Sequence, residues 1–492
     1  MDQPRPVNEN RPTAYVETYG CQMNISDGEL MEGILESHGY GVVDSPEQAD
    51  VILVNTCAIR EHAEQRVLGR VGELNRLKLR NPELVIGVTG CMAQRLGERL
   101  LERAEHVDLV MGPDGYRKLP ETLAAIRPGS GAEAARPKRG GGAGSEAPER
   151  TELPVLAPGA IPAAGPAGGS KRLAVLELEP HENYEGLEVR RTGEISAWVP
   201  VQRGCNYRCT YCIVPYVRGS EKNRAPDEVL DEVRGIAARG IPEVTLLGQT
   251  VNSYAHGDWD FARLLRAVAR VDGIRRVRFT SPHPNDMTRS LIDVMAQEEA
   301  VCRQLHLPVQ SGADRVLKRM VRRYTVARYL EIVEELRTAI PDLALSTDVI
   351  VAFPGETEEE YEATLDLMRT VRFDDAFMYR YSPREGTPAT RLPEEDFLPD
   401  AVGQARLEGL IDVQRAIQAE INRSEVGREE EVLVEKPARS AGDMLGRTER
   451  NKVVAFPGTE SLVGQFVRVR LEGTTGATFT GRRIDGGEAR VA

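Results

Sequence analysis

Apolar and polar residues along the N-terminal quarter of the chain alternate between two patterns: short apolar runs, and longer stretches whose apolar positions recur at helical spacing. Ala14-Tyr15-Val16-Glu17-Thr18-Tyr19-Gly20 alternates like a strand and runs into Cys21. Val51-Ile52-Leu53-Val54-Asn55-Thr56 is an apolar strand ending at Cys57, and Leu84-Val85-Ile86-Gly87-Val88-Thr89-Gly90 is another ending at Cys91. Helical stretches from Asp27 to Ser37 and from Arg60 to Leu79 separate them. Such repeats predict parallel strands with right-handed crossovers, so residues 12–126 read as one α/β parallel-sheet domain.

The pattern then breaks. From Arg127 to Gly169 the chain is dominated by Gly, Ala, Pro and Glu, including Gly140-Gly141-Gly142-Ala143-Gly144, with too little apolar surface to offset the entropy of ordering. Residues 127–184 read as a flexible linker and connection. Strand candidates return at Ile195 to Val199, Val244 to Gly248, Arg276 to Thr280, Gln304 to Val309, Leu343 to Val351 and Phe377 to Tyr381, with helical stretches such as Asp227 to Arg239 between them. Residues 185–421 are therefore expected to form a parallel, partial (βα)6 barrel whose chemistry sits at the carboxyl ends of its strands. Within 424–488 the elements become short strands with turns, at Glu431 to Val434, Lys452 to Phe456, Phe466 to Leu471 and Thr478 to Arg482, which predicts a small β-barrel.

Composition narrows the setting without naming a function. The chain has 492 residues, 41% hydrophobic and 28% charged, and no apolar run approaches the roughly 20 residues that span a bilayer. No membrane partner and a cytoplasmic location are expected, since Met1-Asp2-Gln3-Pro4-Arg5 opens no apolar signal region. Seven cysteines in a chain of this size suit ligand duty in a reducing compartment better than disulfides. A net charge of -13 argues mildly against nucleic acid. Local clusters such as Arg275-Arg276 with Arg278, or Lys318-Arg319 with Arg322-Arg323, leave room for a basic face.

Chemistry enters with Gly204-Cys205-Asn206-Tyr207-Arg208-Cys209-Thr210-Tyr211-Cys212. Soft thiolates at this spacing select an iron-sulfur cluster or zinc. A structural zinc site closes with a fourth Cys or His at short spacing. Here the chain continues Ile213-Val214-Pro215-Tyr216, and the nearest downstream histidine is His256. Three thiolates cap three corners of a 4Fe-4S cube and leave one iron open to chelate S-adenosylmethionine (SAM) and pass an electron into its sulfonium, giving a 5'-deoxyadenosyl radical. Cys205, Cys209 and Cys212 are accordingly the candidate catalytic and metal ligands.

Cys21, Cys57 and Cys91 share one kind of position, the end of a predicted strand, where ligands of open α/β sheets bind. They read either as three unrelated core cysteines or as metal ligands of a second 4Fe-4S cluster with its own open iron. Cys302 reads as a buried, inert thiol.

CxxxCxxC with Ile213-Val214-Pro215-Tyr216 and Arg218-Gly219 resembles the methylthiotransferase branch of the radical-SAM superfamily. Tyr19-Gly20-Cys21-Gln22-Met23-Asn24, Val54-Asn55-Thr56-Cys57-Ala58-Ile59-Arg60 and Gly90-Cys91-Met92-Ala93-Gln94 resemble the MiaB-type tRNA-modifying members, and Leu445 to Val454 resembles their TRAM domain. The resemblance implies conversion of isopentenyl-adenosine, beside the tRNA anticodon, to its 2-methylthio derivative. It implies two 4Fe-4S clusters, one SAM for the radical and a second for methylation. It also implies tRNA as substrate and an electron donor such as flavodoxin or ferredoxin, with the sulfur donor left open and a monomer expected. By position, Gln249, Gln310 and Asp348 are the proposed SAM-binding residues. The cations from Asp314 to Tyr324 read either as a solvated helix flank or as a tRNA backbone contact.

Ala352 stands where relatives usually have Gly, Asn223 where Ser is usual, and the Gly/Ala/Pro insert looks peculiar to this chain. Methylthiotransferases for threonylcarbamoyl-adenosine in tRNA or for a ribosomal-protein aspartate are the alternative. Their motifs differ from Gln22-Met23-Asn24. A non-catalytic RNA-binding or iron-sulfur scaffold protein is a further reading, against which both intact Cys triplets speak.

Overall fold

The computed structural model describes residues 11–58, 61–126 and 172–484. The expected flexible linker from Arg127 to Gly169 lies outside them. Two compact units divide the chain, residues 1–192 with 216–219, and residues 193–215 with 220–492.

The first unit is a six-stranded parallel sheet, β1 (Thr13–Thr18), β2 (Gly41–Val42), β3 (Val51–Thr56), β4 (Val85–Gly90), β5 (Leu109–Met111) and β6 (Leu173–Val175), in the order β2-β1-β3-β4-β5-β6. Every residue of β3 and β4 is buried, which is why they read as continuous apolar runs. On β3, Ile52 and Val54 pack with Val67, Val71 and Leu74 of α2 (Glu61–Arg80), while Val51 and Leu53 pack with Leu30, Ile34 and Leu35 of α1 (Gln22–Ser37). The sheet is thus covered on both faces, each fully buried aliphatic side chain contributing about 1.5–3 kcal/mol. Residues 173–175, expected to belong to the connection, form the sixth strand. Three residues are too few to leave a periodic signal.

In the second unit, β7 (Ser196–Pro200), β8 (Glu243–Leu247) and β9 (Arg276–Phe279) pair in parallel, as do β10 (Gln304–His306), β11 (Ala344–Val351) and β12 (Asp375–Arg380). A bridge between Val277 and Val301 joins the two triplets, so six parallel strands follow one another in chain order as an open barrel. Helices including Pro226–Ala238, Phe261–Ala269, Arg289–Gln297, Val326–Ala339 and Glu358–Val371 contribute apolar faces to one core with these strands.

A 26-residue helix, Asp400–Glu425, leads into a closed barrel of β13 (Glu429–Pro437), β14 (Asp443–Thr448), β15 (Val453–Pro457), β16 (Phe466–Thr474) and β17 (Thr478–Arg483). Its interior holds Val432, Val434, Met444, Val454, Phe456, Val469, Leu471 and Phe479. The cluster Arg275, Arg276 and Arg278 does not form an open basic face; it holds this barrel. Arg276 donates to the carbonyls of Arg447 and Glu431, both at 2.8 Å, and Arg278 to those of Glu449 and Thr448 at 2.9 and 2.8 Å. The Arg275 guanidinium lies 3.7 Å from the centre of the Phe466 ring. Two residues apart on β9, Arg276 and Arg278 point to one side, and that side is covered.

Candidate functional site

Cys21 caps the start of α1 just past β1, Cys57 follows β3 directly, and Cys91 follows β4 as the first residue of the helix Cys91–Leu96. Because β1, β3 and β4 are neighbours, three thiols stand at the carboxyl ends of three adjacent parallel strands. Two glycines make the turns possible. Gly20 has φ +129° and a Cβ there would meet Cys57 Cβ at 2.5 Å; Gly90 has φ +91° and a Cβ there would meet the Thr56 carbonyl oxygen at 2.5 Å. A buried amide lattice locks the loops: Asn24 Nδ2 donates to Asn55 Oδ1 (3.2 Å) and Thr56 O (2.9 Å), and Asn55 Nδ2 donates to Asn24 O (2.7 Å).

Among the described residues, a buried cation reaches this triad. Arg218, in the segment 216–219 that belongs to the first unit, donates from Nε to Cys91 Sγ at 3.1 Å and from Nη2 to Asp27 Oδ2 at 2.6 Å. Its side chain is 3% exposed and that of Asp27 1%. The adjacent Cys57 thiol, and then Arg218, bring the Cys21 thiol down to about 6 against the opposing effect of burial. Burial pushes the Cys91 thiol up, with Arg218 opposing it.

The second triad lies on the loop after β7. Gly204, with φ +74°, donates its N–H to Gln249 Oε1 at 2.6 Å, and Cys205 Sγ lies 3.1 Å from Thr250 Oγ1. The Cys212 N–H bonds back to the Cys209 carbonyl at 3.0 Å, tightening the turn. Thr210 pins the loop, its N–H to Met320 O at 3.1 Å and its hydroxyl to Arg319 O at 2.9 Å. Arg322, buried, donates to Cys209 Sγ at 3.5 Å and to Pro308 O at 3.2 Å. Burial and the neighbouring Cys209 push the Cys212 thiol up to about 12, and burial raises the Cys205 thiol. Bound metal inverts this logic, because its charge deprotonates a coordinating thiol outright.

Among the described residues, no three His, Cys, Asp or Glu side chains come together as a single bound ion would require. A 4Fe-4S cube asks instead for one thiolate per iron, and three soft thiols spread along a loop, or over three strand ends, fit that demand.

The proposed SAM residues separate into two places. Gln249, at the end of β8, braces the Cys205 loop through Gly204. Gln310, with φ +72°, pairs by backbone with β11, its N–H on Asp348 O at 2.8 Å, while the Asp348 carboxylate faces His306 Nε2 at 3.4 Å. Of the cationic run, Arg315 pairs with Glu360 and Arg319 with Asp396, and Arg322 is buried, which leaves Lys318 and Arg323 exposed. Cys302 is 3% exposed and burial raises its thiol to about 11, as an inert core thiol requires. Sequence reasoning missed Asp27, Thr250 and the roles of Arg218 and Arg322. Only distance in space reveals them, although Arg218 already stood in the quoted motif.

Family comparisons follow the same division of the chain. The uncharacterized protein family UPF0004 matches residues 13–112, the Radical SAM superfamily residues 199–368 and the TRAM domain residues 423–482. A protein of Carboxydothermus hydrogenoformans named tRNA-2-methylthio-N(6)-dimethylallyladenosine synthase is 43% identical over 475 residues, spanning 94% of this chain and 97% of its own. One of Porphyromonas gingivalis with the same name is 40% identical over 488 residues, spanning 97% and 96%. Among solved structures, the radical S-adenosylmethionine methyltransferase TsrM of Kitasatospora setae, with cobalamin and a 4Fe-4S cluster bound, superposes with a TM-score of 0.54. That match has 15% identity over 88% of this chain and 80% of that one, a likeness of fold alone.

Proposed function

Because the chain belongs to the family of tRNA-2-methylthio-N(6)-dimethylallyladenosine synthases, radical-SAM enzymes that carry a TRAM domain, we propose that its two cysteine triads divide the labour of one methylthiolation. The substrate is isopentenyl-adenosine in tRNA, and the product its 2-methylthio derivative. Cys205, Cys209 and Cys212 hold one 4Fe-4S cluster, and Cys21, Cys57 and Cys91 hold another. When bound, these clusters and SAM supply the electron, the sulfur and the methyl group that the reaction at carbon 2 of adenine needs.

The residues of this chain do the holding. Gln249 and Thr250 fix the Cys205 loop from the end of β8, and Arg322 places a buried positive charge beside Cys209. Gln249, Gln310 and Asp348 are assigned as SAM contacts. Asn24, Asn55 and Gly90 set the loops that carry the other three thiols. Such pre-organisation keeps cofactors and base at reactive distance. Flavodoxin or ferredoxin as electron donor, a monomeric state and a cytoplasmic location belong to the same reading.

The observation that carries it is the placement of Cys21, Cys57 and Cys91 at three adjacent strand ends, since unrelated core cysteines have no reason to share one edge. The names of the relatives speak against the threonylcarbamoyl-adenosine and ribosomal-aspartate alternatives. Anaerobically reconstituted protein, incubated with isopentenylated tRNA, SAM and a strong reductant, should yield a methylthio-isopentenyladenosine peak on nucleoside mass analysis. SAM cleavage without that peak, in protein loaded with both clusters, would refute the substrate.

A further inference from the structure

The Arg218 guanidinium is fully buried in the first unit, and its hydrogen bonds are incomplete. Nε is spent on Cys91 Sγ and Nη2 on Asp27 Oδ2, while Nη1 is buried with no partner among the described residues. Arg276 and Arg278 show the contrast, since both Nη atoms of each meet backbone carbonyls. A buried donor without an acceptor carries a desolvation cost, which points to an acceptor that occupies the pocket in the working protein.

A second orphan lies in the same place. Tyr116 is 0% exposed and its hydroxyl too has no partner among the described residues, in the combined field of Asp27, Arg218 and Cys91. Two unspent donors therefore share one buried region with a thiol that the triad contributes, Arg218 bonding it directly and Tyr116 lying within its field. Asp27 balances the charge of Arg218, so the pair brings directed N–H groups into the pocket with little net charge.

We propose that Arg218 is a positioning and tuning residue for the iron-sulfur group held by Cys21, Cys57 and Cys91, its Nε orienting the Cys91 thiolate and its unspent Nη1 donating to a sulfur of that group. The inference rests on the two-cluster reading above. Hydrogen bonds to cluster and ligand sulfur stabilise the more negative, reduced form and so raise the reduction potential. Arg218 then keeps this centre easier to reduce than its three thiolates alone would leave it.

The test uses the full chain with Cys205, Cys209 and Cys212 all changed to Ala, reconstituted with ferrous iron and sulfide so that only the first-unit site can load. Its midpoint potential is measured by a spectroscopic redox titration in this parent and after Arg218→Gln or Arg218→Lys. Arg218→Gln should reduce the ratio of reduced to oxidised cluster at a fixed potential at least tenfold, about 59 mV for one electron. Arg218→Lys, which keeps the charge and loses the fork, should fall between. A loaded Arg218→Gln cluster with the parent potential overturns the inference. If Arg218→Gln does not load, Arg218→Lys decides: a lowered potential supports the role and an unchanged one overturns it. A parent that loads no iron refutes the two-cluster reading itself and takes this inference with it.

Discussion

Two backbone positions at the residue scale, Gly90 and Ala352, hold a positive φ. At Gly90, a methyl group would collide with the Thr56 carbonyl at a positive φ that side chains rarely adopt. Gly90→Ala is therefore expected to cost about 2 kcal/mol or more, read from the denaturant midpoint, and to reduce iron loading at the first triad. Ala352, which departs from the usual glycine, has φ +57°. Ala352→Gly should leave stability unchanged or raise it by up to about 1 kcal/mol, whereas Ala352→Val, β-branched in the same conformation, should lower it. The cysteines separate the half-reactions. Cys205→Ala should abolish formation of 5'-deoxyadenosine from SAM, while Cys57→Ala should retain it and lose the methylthio product; product retained by either variant would contradict the assigned roles.

Three arginines in four residues at the scale of elements show why charge read along a sequence misleads. Arg278 is 8% exposed, pairs with Glu243 at 3.2 Å and caps two carbonyls of the barrel. Arg278→Ala would strand those groups and is expected to destabilise the second unit by about 3 kcal/mol, with a smaller added loss on combining it with Arg276→Ala, because both serve one interface. Urea unfolding of the single and double variants checks both statements. Strands such as Val51–Thr56 and Val85–Gly90 were legible because burial on both faces writes a continuous apolar run. The strand ends carrying Cys21, Cys57 and Cys91 were legible with them. Leu173–Val175 was not, being three residues beyond a Gly/Ala/Pro-rich stretch, and Asp443–Thr448 was read only as part of a motif. Arg218 and Arg322 were illegible as partners of Cys91 and Cys209, since each joins positions more than a hundred residues apart.

For the whole molecule, a net charge of -13 means that affinity for tRNA must come from local cations. Lys318, on the helix Asp314–Arg319, and Arg323, beyond its end, are exposed cations, and replacing either by Ala should weaken tRNA binding and reduce the salt dependence of log K by about 0.7–0.9 per residue. A slope unchanged in both variants would return that run to a solvated flank. The account as a whole stands on two separate clusters in one chain. Iron and sulfide analysis of the anaerobically reconstituted protein tests this most directly, in the wild type and in two variants, each with one cysteine triad changed to Ala. About eight irons in the wild type and about four in each variant are predicted. Four in the wild type, or none in the variant that keeps only Cys21, Cys57 and Cys91, would contradict it.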